Sequence, residues 1–313
     1  MARRSLTPMA VLPAAPFGRV LTAMVTPFTG DGGLDIEGVQ ALAAHLVGNG
    51  GNDGLVVNGT TGESATTSDA EKERVVRAAR EAVGDGATVL AGVGTNDTAH
   101  TIELAQSAEK AGASGLLLVS PYYNRPPQEG LVAHVRAVAD ATGLPVMLYD
   151  IPARTGVAFA TETLVRLAEH PRVVAVKDAK DDLVAASEVL RRTDLAFYCG
   201  TDALNLPLLS VGAVGVVTVT GHVIGRELAT MLRCYDAGDP AGATAVHLAT
   251  LPIATGMFRT QGVILAKAAL RLLGLPAGPV RLPLVDATPS QVEQLVADLA
   301  AGGVSVKVPA ILG

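Results

Sequence analysis

Cysteine is nearly missing: Cys199 and Cys234 are the only two, and neither has a CxxC or a Cys/His cluster beside it. That excludes a disulfide framework, gives no zinc site and leads one to expect a reducing, cytoplasmic setting. Long runs of Lys and Arg are also lacking, and the formal net charge is −6. The electrostatic footprint of a nucleic-acid binder is therefore absent, and small-molecule partners are expected. No uninterrupted apolar run approaches the roughly 20 residues that a membrane helix requires. Arg3 and Arg4 open a stretch that Pro8, Pro13 and Pro16 break well short of a signal core, so residues 1–16 are expected to be a disordered or extended lead-in to a soluble protein. The histidines, His45, His100, His134, His170, His222 and His247, include no pair at metal-ligand spacing, and none is assigned to chemistry.

What is present is apolar and small. The 313 residues are 49% hydrophobic and 17% charged, with 34 Gly and 18 Pro, long enough for one large barrel or two ordinary domains. Short apolar runs recur at 21–26, 54–58, 88–92, 115–120, 145–149, 173–177, 195–199 and 215–220. Each is followed by an Ala-rich stretch of helical period, the pattern of βα units around a parallel sheet. Eight such units predict a (β/α)8 TIM barrel over 17–224. A doubly wound open sheet is the alternative, but its Gly-rich turn after the first strand is replaced by Thr26, Pro27 and Phe28. Ser68 and Glu71 predict a capping box that starts a helix running to about Val83. After Thr220 the pattern turns helical, at 226–237, 240–256, 263–273 and 290–301, with no further strand before 304–308. Residues 225–313 therefore read as a closing helix plus a C-terminal helical region, a device for packing barrels into oligomers.

Reacting groups in such a barrel project from the C-terminal ends of strands. Lys177 closes the run Val173, Val174, Ala175, Val176, where desolvation lowers an amine's pKa and leaves the neutral form that a Schiff base needs. The bland alternative is a strand-end lysine paired with Asp178. Lys72, Lys110, Lys180, Lys267 and Lys307 fall on expected helices, in a loop or near the terminus, which leaves Lys177 as the one lysine a strand carries into the barrel. Tyr149 ends the fifth strand and is suited to shuttling protons, or else is a core aromatic. Arg154 follows it, suited to a bidentate grip on a carboxylate, or else is a solvated loop charge. In the turn Gly59, Thr60, Thr61, Gly62, Glu63, Ser64, two glycines let backbone N–H groups approach a small anion, and the hydroxyls add hydrogen bonds; a plain tight turn is the alternative. Tyr122 and Tyr123 stand in a Pro-stiffened loop, where the core has no room for both.

These residues are recognisable together. Gly59-Thr60-Thr61-Gly62-Glu63-Ser64, Pro121-Tyr122-Tyr123-Asn124, Tyr149-Asp150-Ile151-Pro152 with Arg154-Thr155-Gly156, and Val176-Lys177-Asp178 resemble the 4-hydroxy-tetrahydrodipicolinate synthase (dihydrodipicolinate synthase) family, from about Phe17 to the C-terminal helices. The resemblance implies that Lys177 forms an imine with pyruvate while Thr60, Tyr149 and Tyr123, the last donated by a neighbouring subunit, relay protons. It implies that Thr61 holds the pyruvate carboxylate, that Gly200 and Val217 border pyruvate through their backbone, and that Arg154 receives the carboxylate of L-aspartate 4-semialdehyde. No metal or organic cofactor is implied, and the usual assembly is a homotetramer, a dimer of dimers.

Asp150 and Lys180 depart from the pattern, since many relatives carry Asn at the first and a small residue or Thr at the second. Ser64, Ala65, Asn96 and Tyr122 match a pocket that binds L-lysine in many relatives. Asp69 and Lys72, however, stand where lysine-sensitive enterobacterial relatives have histidines, and His100 replaces an acid, so weak or absent lysine inhibition is expected. N-acetylneuraminate lyase and 2-keto-3-deoxy-sugar-acid aldolases share the lysine and tyrosine but bind a polyhydroxylated chain where Arg154 sits. A non-catalytic pyruvate-binding barrel, or a paralogue with a changed aldehyde, is the remaining reading.

Overall fold

A computed structural model describes residues 14–306. Most of the expected lead-in, residues 1–13, lies outside the described residues, as do 307–308 of the last expected strand.

Eight parallel strands close in chain order: β1 (Val20–Ala23), β2 (Gly54–Val57), β3 (Thr88–Gly92), β4 (Gly115–Val119), β5 (Val146–Asp150), β6 (Val173–Asp178), β7 (Ala196–Cys199) and β8 (Gly215–Thr218). The ring shuts where Val20 of β1 faces Val216 of β8. Each of the eight expected barrel strands is present, and the runs at 21–26 and 215–220 end early because their last residues leave the sheet to build the mouth. Side-chain alternation, period two along a strand, sorts each run between two cores. Leu21, Val56, Leu90, Leu117, Met147, Ala175, Ala196 and Val217 point into the barrel. Their neighbours Val20, Leu55, Val89, Leu116, Leu148, Val176, Phe197 and Val216 point out against the helices. Phe17 plugs the N-terminal end, its N–H donating to the Tyr198 hydroxyl at 3.3 Å.

The helices between strands are α1 (Ile36–Gly48), α2 (Asp69–Val83), α3 (Thr98–Lys110), α4 (Gln128–Asp140), the single turn α5 (Pro152–Thr155), α6 (Thr161–Leu167), α7 (Leu183–Leu190) and α8 (Asn205–Ser210). The capping box of α2 forms as expected, with Ser68 and Glu71 satisfying each other's backbone N–H groups. After β8 come α9 (Gly221–Asp236), α10 (Pro240–Gly256), α11 (Gly262–Leu272) and α12 (Pro289–Ala301). Two differences from the expectation have physical causes. The helix expected from 226 starts at Gly221, but Ile224 leaves helical geometry at φ −126 and ψ 29, which interrupts the apolar period that marks a helix in sequence. Residues 304–306 form no strand, because a closed barrel has no free edge to pair with.

A buried charge cluster ties the C-terminal region to the barrel. Lys267 of α11 and Glu63 of the β2–α2 turn are both almost fully buried and meet at 2.6 Å. Lys267 also donates to the Pro279 carbonyl at 2.7 Å and lies 4.1 Å over the Phe28 ring. The Arg281 N–H donates to the second Glu63 oxygen at 2.8 Å, while its guanidinium grips both oxygens of Glu71 at 2.6 and 2.9 Å. That grip, first among its causes, holds the Glu71 carboxyl down to about 2. Removing one partner of a buried pair leaves the other charge desolvated and alone, which costs about 3–5 kcal/mol. Lys267→Met is accordingly expected to lower the denaturant midpoint severely, and Lys267→Met combined with Glu63→Leu to recover much of it. Equal loss in the single and double variants would show that the pair is not what matters there.

Candidate active site

The mouth is where backbone strain collects. Among the described residues the non-glycine positions with positive φ are Asn58, Glu63, Tyr123, Arg125 and Asp181, and all lie in loops leaving the C-terminal ends of strands. Such conformations persist where the surrounding structure holds them, and they cluster at functional sites.

Lys177 is carried by β6 in register with Tyr149 of β5 and Tyr198 of β7, so its side chain enters the barrel. It is 5% exposed, and its Nζ lies 4.2 Å from the centre of the Tyr149 ring. The chain after β7 passes directly beside it: a Cβ at Gly200 would fall 3.0 Å from Lys177 Cε and Cγ, so a larger residue there would have to push the lysine side chain aside. Burial lowers the ammonium to about 8, Asp202 pulls it back up, and Arg154 pushes it further down. Asp178, the pairing partner that a structural lysine would need, turns the other way: its Oδ1 accepts from the backbone N–H groups of Lys180 and Asp181 at 3.0 and 3.3 Å.

Burial pushes the Tyr149 phenol up to about 12, against the pull of Arg154 and of the Thr60 side chain, so it stays protonated and able to donate. Thr60 and Thr61 sit in the turn after β2, which Thr26 pins by donating its hydroxyl to the Gly62 carbonyl at 2.7 Å. Among the described residues neither threonine gives its backbone N–H to another protein group, which leaves two donors at the turn. Arg154 is presented by α5, which Pro152 starts and Gly156 ends at φ 76. It is exposed, and among the described residues it makes no salt bridge.

These groups line one cavity of about 600 Å³ holding Lys177, Tyr149, Thr60, Thr61, Arg154 and Gly200. Val217 is packed in the barrel interior below it, and Val219 is the residue beyond β8 that reaches the cavity wall. Tyr123 does not line it. That residue is 89% exposed at φ 71, beside a second cavity of about 430 Å³ that shares Thr60, Tyr149, Ile151 and Arg154 with the first. Ser64, Ala65 and Tyr122 line this second cavity, whereas Asn96 does not; His100 pairs with Asp69 at 2.8 Å, and Lys72 lies 3.7 Å from Asp69.

Sequence reasoning missed two groups of residues. Thr255 from the end of α10, and Phe258 and Gln261 from the α10–α11 connection, line the first cavity, although the C-terminal helices had been expected only to serve assembly. Asp202 and Asp181 add acids to its wall, and the position of Asp202 two residues past Gly200 was the signal available for it. Behind the mouth, Asp150 accepts from the Phe159 N–H at 3.2 Å, and burial raises its carboxyl to about 7. Among the described residues no group of three or more His, Cys, Asp or Glu side chains is placed to hold a metal ion. No described helix is long and apolar enough to cross a membrane.

Comparison with known proteins agrees with this geometry. A model described as the dihydrodipicolinate synthetase family matches residues 16–302. The 4-hydroxy-tetrahydrodipicolinate synthase of Acidothermus cellulolyticus is 68% identical, over 92% of this chain and 94% of its own length. The 4-hydroxy-tetrahydrodipicolinate synthase 2 of Streptomyces coelicolor is 66% identical, over 94% of this chain and 98% of its own. A crystal structure of DHDPS from Cyanidioschyzon merolae with lysine bound superposes with a TM-score of 0.91 at 45% identity, covering 93% of this chain and 99% of that one.

An amine with a pKa of about 8 reacts in its neutral form over a range where ordinary lysines, at about 10.4, stay protonated. Competitive acetylation with limiting acetic anhydride, read by peptide mass spectrometry, is expected to show labelling of Lys177 half-maximal near pH 8. A midpoint near 10 would mean that the mouth does not desolvate it.

Proposed function

The chain belongs to the dihydrodipicolinate synthetase family, and from that premise we propose that Lys177 is the group that binds pyruvate covalently. The reaction is the lyase-class condensation of pyruvate with L-aspartate 4-semialdehyde to 4-hydroxy-tetrahydrodipicolinate, a step of lysine and diaminopimelate biosynthesis. One observation carries the assignment: Lys177 is a buried strand-end amine, held near a pKa of 8 against the Tyr149 ring.

In this reading the neutral Lys177 amine adds to C2 of pyruvate, the C2 oxygen leaves as water, and the nitrogen keeps a proton as an iminium. Loss of a proton from C3 gives an enamine, the iminium nitrogen serving as the electron sink, so no metal or organic cofactor is needed. The enamine carbon then attacks the aldehyde, and the amino group of the second substrate displaces Lys177 as the ring closes. The Tyr149 phenol, still protonated, and Thr60 move protons at the carbinolamine, while the hydroxyl and the free N–H groups around Thr61 suit the pyruvate carboxylate. Gly200 borders pyruvate, and Val217 reaches it only through its backbone. Arg154, without a carboxylate of its own, suits the carboxylate of the aldehyde substrate, which favours a short acidic partner over a sugar chain.

Tyr123, exposed and lining the second cavity but not the one that holds Lys177, fits donation to a neighbouring subunit, and a homotetramer built as a dimer of dimers is the assembly proposed. The free cysteines, Cys199 and Cys234, fit a reducing cytoplasm.

Incubation with pyruvate and sodium borohydride is expected to add a reduced pyruvyl group to Lys177, located by peptide mass spectrometry, and Lys177→Ala to abolish it. An adduct on any other lysine would overturn the assignment. The pairing of His100 with Asp69 also puts a basic group where a lysine ammonium would need an acid. L-lysine titrated to millimolar concentration is expected to leave the rate nearly unchanged, and strong inhibition below that would refute this reading.

A further inference from the structure

Asp202 is the least accounted-for charge in the molecule. It lies in the short turn after β7, 4% exposed, and lines the same cavity as Lys177. Its Oδ2 accepts the backbone N–H groups of Val219 and Thr220, both at 3.0 Å, with the Thr218 hydroxyl also close by. Its Oδ1 is buried and has no hydrogen-bond partner among the described residues. A buried carboxylate oxygen without a donor is costly, and it persists where something else compensates the charge. The link to Lys177 is geometric: Gly200, two residues before Asp202, presses the backbone against the Lys177 side chain.

We infer that Asp202 is a positioning residue, the counter-ion that keeps Lys177 in the cavity and stabilises the positive charge on its nitrogen when the imine forms. The inference rests on the assignment of Lys177 made above. The charged and titratable groups facing Lys177 are Tyr149 of β5, Arg154 of α5, Cys199 of β7 and Asp202. Tyr149 and Cys199 are both pushed up by burial and stay neutral, and Arg154 is a like charge. Asp202 is thus the buried anion of the site; Asp181, which lines the same cavity from the β6–α7 loop, is exposed and accepts the Thr201 hydroxyl at 2.7 Å. Burial, the largest influence, raises the Asp202 carboxyl, while the nearby Thr218 hydroxyl, the Thr220 and Val219 N–H groups and Lys177 hold it down, the interactions that favour its ionised form. The iminium differs from the free amine by one positive charge on the same nitrogen, so an acid already in place meets that charge without reorganisation.

Asp202→Asn keeps an oxygen for the Val219 and Thr220 N–H groups and removes only the charge. Borohydride trapping with saturating pyruvate is followed against pH in the full-length protein. A neighbouring opposite charge raises an amine's pKa by about 1–3 units, so the acid midpoint for adduct formation is expected to move down by at least about 1 pH unit in Asp202→Asn. Asp202→Glu, which restores the charge, is expected to return it toward the wild-type position. If the Asn variant does not fold, as judged by circular dichroism, Asp202→Ser removes the same charge and is expected to give the same shift. An unmoved midpoint in a folded, neutral variant overturns the counter-ion role while leaving Lys177 as the nucleophile. Failure of the wild type to trap pyruvate on Lys177 removes the premise and with it this role.

Discussion

The contact on which the rest of the mouth depends is the buried pair of Glu63 and Lys267. Glu63 sits at the end of the turn that presents Thr60 and Thr61, with a left-handed backbone that the turn alone has no reason to prefer. Lys267 sits on α11, and the connection leading into that helix supplies Phe258 and Gln261 to the roof of the cavity. One ion pair therefore fixes floor and roof together, with Arg281 bonded to the same glutamate and Phe28 stacked between the two cations. Such a pair gives little net stability against an apolar replacement, but it admits a single registry, because either charge shifted out of contact is stranded without water.

Within that frame the barrel imposes a charge balance on the mouth. Two cations, Lys177 and Arg154, face the first cavity, and Asp202 and Asp181 answer them from the β6 and β7 loops. Asp181 is exposed and accepts the Thr201 hydroxyl on one oxygen at 2.7 Å. Asp202 keeps one oxygen uncommitted, and Arg154 keeps its whole guanidinium. Charged substrates thus meet fixed groups of opposite sign, of which Lys177 and Asp202 are buried, where a charge is worth more than in water.

The fold was legible because a parallel barrel buries both faces of every strand, and the eight continuous apolar runs are the direct imprint of that burial. Lys177 was legible for the complementary reason, as a charge interrupting such a run. Tyr149 and Arg154 could be picked out as a phenol and a cation at a strand end, and only the combination of motifs removed the bland alternatives. Lys267 was not legible: a lysine on an expected helix reads as solvated, and nothing local says that Glu63 will meet it across the fold. Asp202 escaped for a related reason, since a loop acid looks solvated until its backbone donors are seen. Val219 was not legible for the same reason, since only the closed barrel shows that the residue beyond β8, and not the Val217 side chain packed in the interior, reaches the cavity wall.

The uneven distribution of backbone strain divides the molecule for anyone who would redesign it. Every left-handed non-glycine residue described lies at the mouth, while the opposite end is closed by Phe17 and Tyr198 in ordinary packing. Substitutions that relax Asn58, Glu63 or Tyr123 toward easier conformations would gain thermal tolerance from the very loops that shape the chemistry. Thermostabilisation is therefore best sought at the floor, where rigidity can be added without disturbing the geometry that the mouth holds under tension.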